Sequence, residues 1–326
     1  MRRFGKLLGR SICVFTLAIA GLVVFGPYED ISIIPSVRDP QIGEDVEMYF
    51  TAREARFADL TPGVEKRVVW AGEKGQPSPL VIVYVHGFSA TSEEIRPVPD
   101  LVAERLGANL VYTRLQGHGR DGAALDEATV QGWANDVDEA LAVARYVGEE
   151  IVVIATSTGG TVVAAMSAQS AVMKDVKGLI FVSPNFGINS PLAWLLTWPA
   201  ARYWVPMVAG AELSFEPRNA AQAKYWTTSY PSTAVLQMAA LVAQVRSQNF
   251  GDVKLPALFW FSDEDKVVEA AQTRKVASAW GGPVELAVQN LEEGADPNAH
   301  VIAGAIMSPN ETLDTAAAFV KFITGL

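Results

Sequence analysis

The run Ile151-Val152-Val153-Ile154-Ala155-Thr156-Ser157-Thr158-Gly159-Gly160 sets a serine between a continuous apolar stretch and residues able to begin a helix. A buried strand that turns sharply into a helix carries such a serine at its apex, with the hydroxyl presented as a nucleophile. The turn crowds the positions two before and two after the serine, so both need small side chains. Here they are Ala155 and Gly159. The short pattern alone is common by chance, and the remaining chemistry must be sought elsewhere in the chain.

A serine hydroxyl is a poor nucleophile until a base takes its proton. The chain holds three histidines, His86, His118 and His300. A serine on such an elbow is followed along the chain by its acid and then its histidine, and His300 alone lies downstream. It ends the polar stretch 292–299; the competing reading is a surface loop histidine. An imidazole base needs a carboxylate to fix its tautomer and stabilise its charged form. The turn Ser262-Asp263-Glu264-Asp265-Lys266-Val267-Val268 offers three. Asp265 sits where apolar character resumes and is the first choice, with Asp263 the alternative. An oxyanion hole needs two backbone N–H groups aimed at one point. One is expected from Thr158 and the other from Phe88, in the loop His86-Gly87-Phe88-Ser89. His86 is then a structural residue holding that loop.

These residues need a scaffold, and the sequence supplies a regular one from residue 64 onward. Val64–Trp70 has strand character, and Leu80–Val85 (LVIVYV), Asn109–Tyr112, Ile151–Ala155, Gly178–Val182, Ala257–Phe261 and Val284–Val288 are short apolar runs bounded by turn residues, which read as buried strands of a parallel sheet. Amphipathic segments near 97–106, 131–147 and 161–171 read as helices between them; Trp133, Val137, Leu141 and Ala144 share one face. This is an α/β domain with a mostly parallel sheet. Between residues 183 and 255 no clear strand is found, but Trp194, Trp198, Trp204 and Trp226 are. A structureless loop of that size would be anomalous, so an inserted helical cap is expected at about 184–254.

The first 28 residues differ from the rest. Arg2, Arg3, Lys6 and Arg10 precede a stretch from Ser11 to Tyr28 without charge, and Glu29 and Asp30 follow. That length is near the lower limit for a bilayer span, about 17–25 residues. The charge asymmetry would leave the body of the chain on the non-cytoplasmic side. The expectation is an N-terminal membrane anchor over 1–28 and a proline-punctuated connector over 29–63. The alternative is secretion after cleavage near Ala18-Ile19-Ala20. The single cysteine, Cys13, lies inside this segment, so no intramolecular disulfide is possible. The net charge is −10. Beyond residue 26 the balance is 22 basic against 36 acidic residues, which argues against nucleic-acid binding. There is no metal cluster, phosphate loop or dinucleotide motif, and no cofactor is expected.

With these pieces in place the chain resembles the α/β-hydrolase superfamily, and within it the monoglyceride-lipase, carboxylesterase and serine-aminopeptidase-like group. The matching pieces are His86-Gly87-Phe88, Gly117-His118-Gly119-Arg120, Trp133 with Asp136, the serine elbow, Asp265-Lys266-Val267-Val268 and His300. They occur in the family's order and span 64–326. The resemblance implies that His118 belongs to a structural loop near the site, that the cap shapes an acyl pocket, and that Asp265 is favoured over Asp263. Ala155 in place of glycine, and Thr156 and Thr158 beside the serine, depart from the family pattern.

The expected function is hydrolysis of a small-molecule carboxylic ester with a hydrophobic acyl group, through an acyl-enzyme on Ser157, Asp265 and His300. Thioester, peptide or acyl-transfer chemistry could use the same three residues. A non-catalytic, membrane-anchored envelope protein is the reading from a different class.

Overall fold

The computed structural model describes residues 2–34, 42–43 and 45–326, with side chains from residue 10 onward. Nine strands are found among them: β1 (Arg67–Val69), β2 (Ser78–Val85), β3 (Asn109–Tyr112), β4 (Gly148–Thr156), β5 (Val176–Val182), β6 (Glu212–Ser214), β7 (Ser229–Pro231), β8 (Ala257–Phe261) and β9 (Val284–Val288). Seven form one sheet in the order β1-β3-β2-β4-β5-β8-β9. Only β1 runs antiparallel to its neighbour, and the other pairings are parallel.

The helices are α1 (Arg2–Phe25), α2 (Val46–Glu54), α3 (Val98–Leu106), α4 (Gly122–Asp126), α5 (Val130–Val147), α6 (Ser157–Met166), α7 (Ala201–Ala209), α8 (Ala220–Tyr225), α9 (Val235–Ser247), α10 (Ala270–Ala279) and α11 (Thr312–Thr324). They cover the sheet from both sides, which is why its central strands are continuous apolar runs. Val81, Val83 and Val85 of β2 pack in one core with residues of α5, α6, α9 and α10. Ile82 and Tyr84 of the same strand pack in a second core with residues of α3 and α11. Alternate residues of one strand thus feed opposite layers.

The sheet departs from expectation at one edge. β9 was expected as a buried strand, but Val284, Leu286 and Val288 are all exposed, and β9 is the edge strand of the sheet among the described residues. Between β5 and β8 the chain forms α7, α8, α9 and a two-stranded antiparallel ribbon, β6 with β7. Three-residue strands are too short to show a period in sequence. α9 packs against α6 and lies in the same core as β2.

The N-terminal segment is helical, but no helix among the described residues is long and apolar enough to cross a membrane. The expected membrane span is therefore not seen. Gly26 and Pro27 end α1: a Cβ on Gly26 would meet Leu22 O at 2.2 Å and Pro199 at 2.6 Å. Beyond it the chain lies on the body, where Pro27 O accepts from Ala200 N–H (2.7 Å) and Glu29 pairs with Arg202 (2.7 Å). Of the expected connector, residues 35–41 and 44 lie outside the described residues. Within the rest of that connector lies α2, capped by Asp45, which accepts from Glu47 N–H and Met48 N–H.

Candidate active site

Strand β4 delivers Thr156 to the C-terminal edge of the sheet and α6 begins at Ser157 itself. The reversal forces Ser157 to φ +49°, a left-handed conformation that costs a non-glycine residue about 1–2 kcal/mol. Small neighbours are obligatory here. A Cβ on Gly159 would stand 2.4 Å from His86 O and 2.6 Å from Val85 O, both backbone atoms. The strand-side position tolerates the methyl group of Ala155, which is fully buried.

The three residues singled out by type and order come together. Ser157 Oγ lies 3.0 Å from His300 Nε2, and His300 Nδ1 lies 2.8 Å from Asp265 Oδ2. The other Asp265 oxygen accepts from Val267 N–H and Val268 N–H, at 2.8 and 2.9 Å. Those two bonds fix the carboxylate, so its free oxygen can address only the imidazole. Asp263 goes elsewhere: it pairs with Arg274 at 2.7 Å on the surface. The loop that carries His300 is held by Asp296, whose carboxylate accepts from the backbone of both His300 and Val301. Sequence reading overlooked Asp296, which looks like an ordinary polar loop residue.

Burial by itself would lower the His300 pKa. The Asp265 carboxylate overcomes that and raises it above the ordinary histidine value, helped by the negative charges of Glu94 and Asp296. A base whose charged form is stabilised in this way is suited to take the serine proton.

Phe88 and Thr158 flank the same spot. Neither backbone N–H has a protein acceptor among the described residues. The Phe88 ring is held edge-on by His118, Trp133 and Tyr230. His86 Nε2 accepts from Leu115 N–H at 3.1 Å, and its Nδ1–H faces Gly87 O at 2.9 Å. Burial, then the neighbouring His118, drives its pKa far down, so it remains neutral and joins two loops. His118 is likewise pushed down by burial, to about 4. Asp136 anchors the same region by accepting from Gln116 N–H at 2.6 Å and pairing with the buried Lys66.

A cavity of about 440 Å³ opens over Ser157 and His300. Trp226, Tyr230, Val235, Met238 and Met307 give it an apolar wall, and the first four come from the segment between β5 and β8. The tryptophans expected together in that segment divide. Trp226 lines this cavity, whereas Trp194 and Trp198 stack edge-on at 5.3 Å with their rings exposed. A second cavity of about 410 Å³ lies between the chain at Pro27–Ile31 and α9, away from Ser157.

Comparison with known proteins agrees with this geometry. Residues 76–290 match the family described as serine aminopeptidase, S33. A curated relative, the thermostable monoacylglycerol lipase of Bacillus sp. (strain H-257), is 26% identical over 190 residues, covering 58% of this chain and 72% of that protein. Among solved structures, one reported for the metagenome-derived lipolytic enzymes LipS and LipT superposes with TM-score 0.63 at 19% identity, covering 81% of this chain and 99% of that one. A Saccharomyces cerevisiae monoglyceride lipase variant bound to a substrate analogue gives 0.60 at 11% identity, over 80% and 90%. The Paleococcus ferrophilus monoacylglycerol lipase gives 0.56 at 13%, over 80% and 98%. At such identities the structural likeness speaks for the fold, and the family match carries the assignment. The chain belongs to the serine aminopeptidase, S33, family and is an α/β-hydrolase of the monoglyceride-lipase-like group.

Proposed function

We propose that the protein hydrolyses carboxylic esters with an apolar acyl group through an acyl-enzyme on Ser157. The observation that carries this reading is the unbroken hydrogen-bond chain Ser157 Oγ, His300, Asp265, at 3.0 and 2.8 Å, on the floor of a cavity with two unpaired amides. Ser157 Oγ attacks the ester carbonyl carbon as His300 Nε2 takes its proton, and the carbonyl π electrons move onto oxygen. The Phe88 and Thr158 N–H groups receive that oxyanion. Collapse expels the alkoxide, which leaves with the proton from His300. Water then repeats the sequence on the acyl-enzyme, releasing the acid and restoring Ser157. Asp265 holds the imidazole and its transient charge throughout.

The segment over residues 184–254 serves as the cap in this reading, and its apolar side chains favour an acyl chain over a charged group. The N-terminal helix is assigned to a lipid surface: its side chains from Ile12 to Phe25 are largely exposed apolar groups without a protein partner among the described residues.

The test combines a fluorophosphonate probe with a series of p-nitrophenyl esters of increasing chain length. Wild type labels and Ser157→Ala does not, and turnover rises with chain length until the cavity is filled. Folded wild-type protein that resists the probe overturns the reading. Turnover of thioesters or peptides far above esters would reassign the leaving group while leaving the acyl-enzyme intact.

A further inference from the structure

Glu94 follows the loop that holds Phe88, and nothing in its sequence surroundings marks it. The residue is 2% exposed and lines the cavity over Ser157. Oε2 accepts from Gly87 N–H at 2.7 Å and from the Tyr84 hydroxyl at 3.3 Å. That hydroxyl also meets Thr156 Oγ1 at 3.2 Å. Gly87 immediately precedes Phe88, and Thr156 immediately precedes Ser157. One carboxyl group therefore ties the loop bearing one oxyanion donor to the elbow bearing the other. The approach is close on the remaining side as well. A Cβ on Gly87 would stand 2.8 Å from Glu94 Oε1 and 3.0 Å from Ser157 Cβ.

No Lys or Arg pairs with Glu94 among the described residues. A buried carboxylate without a counter-ion is costly, and a hydroxyl could accept from Gly87 more cheaply. What the carboxylate adds is a stronger, shorter bond to the amide and a negative charge facing the base.

We infer that Glu94 is a positioning residue that sets the distance between the Phe88 and Thr158 amides, and through it the hold of the site on the tetrahedral oxyanion. It acts by way of Gly87 on one side and Tyr84–Thr156 on the other. The assignment rests on the acyl-enzyme reading above. The titratable groups facing Glu94 are Tyr84 from β2 and His300 from the loop before α11; His300 in turn faces Asp265 and Asp296. Burial lifts Glu94 itself to about 7.

The full-length chain is compared as wild type, Glu94→Gln, Glu94→Leu and Tyr84→Phe. The readouts are kcat and KM for p-nitrophenyl butyrate from pH 5.5 to 9, and the affinity of an alkyl boronic acid, which mimics the tetrahedral species. Loss of a correctly placed oxyanion donor costs roughly 10²–10³ in kcat. Glu94→Leu, which misplaces a donor without deleting it, is expected to lose about 10–100-fold in kcat with KM within about twofold, and to lose boronate affinity in parallel. Glu94→Gln keeps an acceptor for Gly87 and recovers most of that loss. Tyr84→Phe loses a few-fold in kcat.

Glu94→Leu with kcat within twofold of a hydrolysing wild type overturns this assignment alone. If Glu94→Leu fails to fold, Tyr84→Phe decides: kcat and boronate affinity both unchanged also overturn it. A folded wild type that neither hydrolyses the ester nor takes the probe overturns the acyl-enzyme reading, and this assignment with it.

Discussion

Asp263 and Asp265 stand two residues apart in one turn, the first 55% exposed beside Arg274 and the second 1% exposed beneath His300. Their substitutions should therefore part company. Asp265→Asn leaves the turn's shape but presents an amide to Nδ1, favouring the wrong tautomer, and kcat is expected to fall roughly 10³–10⁴-fold. Asp263→Asn removes a surface ion pair worth under about 1 kcal/mol and should leave kcat within twofold. Steady-state kinetics on both variants checks this; equal losses would remove Asp265 from its role. A second expectation concerns pH. Only neutral His300 can accept the serine proton, and Asp265 raises its pKa. The acidic limb of kcat/KM should thus lie above the ordinary histidine value of about 6.5, with activity falling as pH drops through it. A limb below 6 would contradict the electrostatics described. Ser157 and His300 were legible in the sequence because histidine is scarce here and the elbow is distinctive. Asp265 was legible only as the better of two, since both aspartates bracket Glu264. Glu94 and Asp296 were not legible at all: each is an acid in a polar turn, and only folding shows that each is buried on backbone amides.

The element that most constrains the site is the junction of β4 with α6. Its tolerance is set by Gly159, which touches the carbonyls of Val85 and His86 on β2 and the loop after it. Backbone atoms cannot rotate away as a flexible side chain can. Gly159→Ala should push α6 off the β2 loop, costing about 1–3 kcal/mol as overpacking does and spreading the Thr158 and Phe88 amides. The expected outcome is a lowered melting temperature and a loss of kcat together. A variant with wild-type stability and activity would show that the junction relaxes freely. The same scale explains what the sequence could and could not convey. β2, β4, β5 and β8 are covered on both faces, so each reads as an apolar run. β9 has the same composition but lies at an edge, and composition does not record which strand receives a neighbour. β6 and β7, three residues each, carry no period.

Across the whole molecule, the stretch after α1 joins two parts of the chain that are far apart in sequence. Glu29 bonds Arg202 through both carboxylate oxygens, at 3.0 and 2.7 Å, and also accepts from Gln237 on α9. Burial would raise the Glu29 pKa, but Arg202 and Gln237 outweigh it and hold the carboxyl below its ordinary 4.5. A carboxyl depressed by folding contributes stability above its unfolded value, and that contribution is lost as pH falls through the lower folded one. Two truncations separate this clamp from α1. A chain starting at Pro27 keeps Glu29 and should retain both melting temperature and turnover of soluble short-chain esters, while losing any partition onto lipid vesicles that α1 provides. A chain starting at Pro35 loses the clamp as well. It should be less stable at pH 7 by about 1–2 kcal/mol, the range for hydrogen bonds to a charged group on a part-exposed pair. The gap between the two chains should narrow toward pH 4 and below, as Glu29 protonates. Its sign is fixed by the depressed pKa, so a gap that stays constant on acidification would show that residues 27–34 are held by packing, as of Ile31 and Ile33 on the core, rather than by charge. Partition onto vesicles that survives removal of residues 1–26 would instead move the lipid contact to the exposed Trp194 and Trp198.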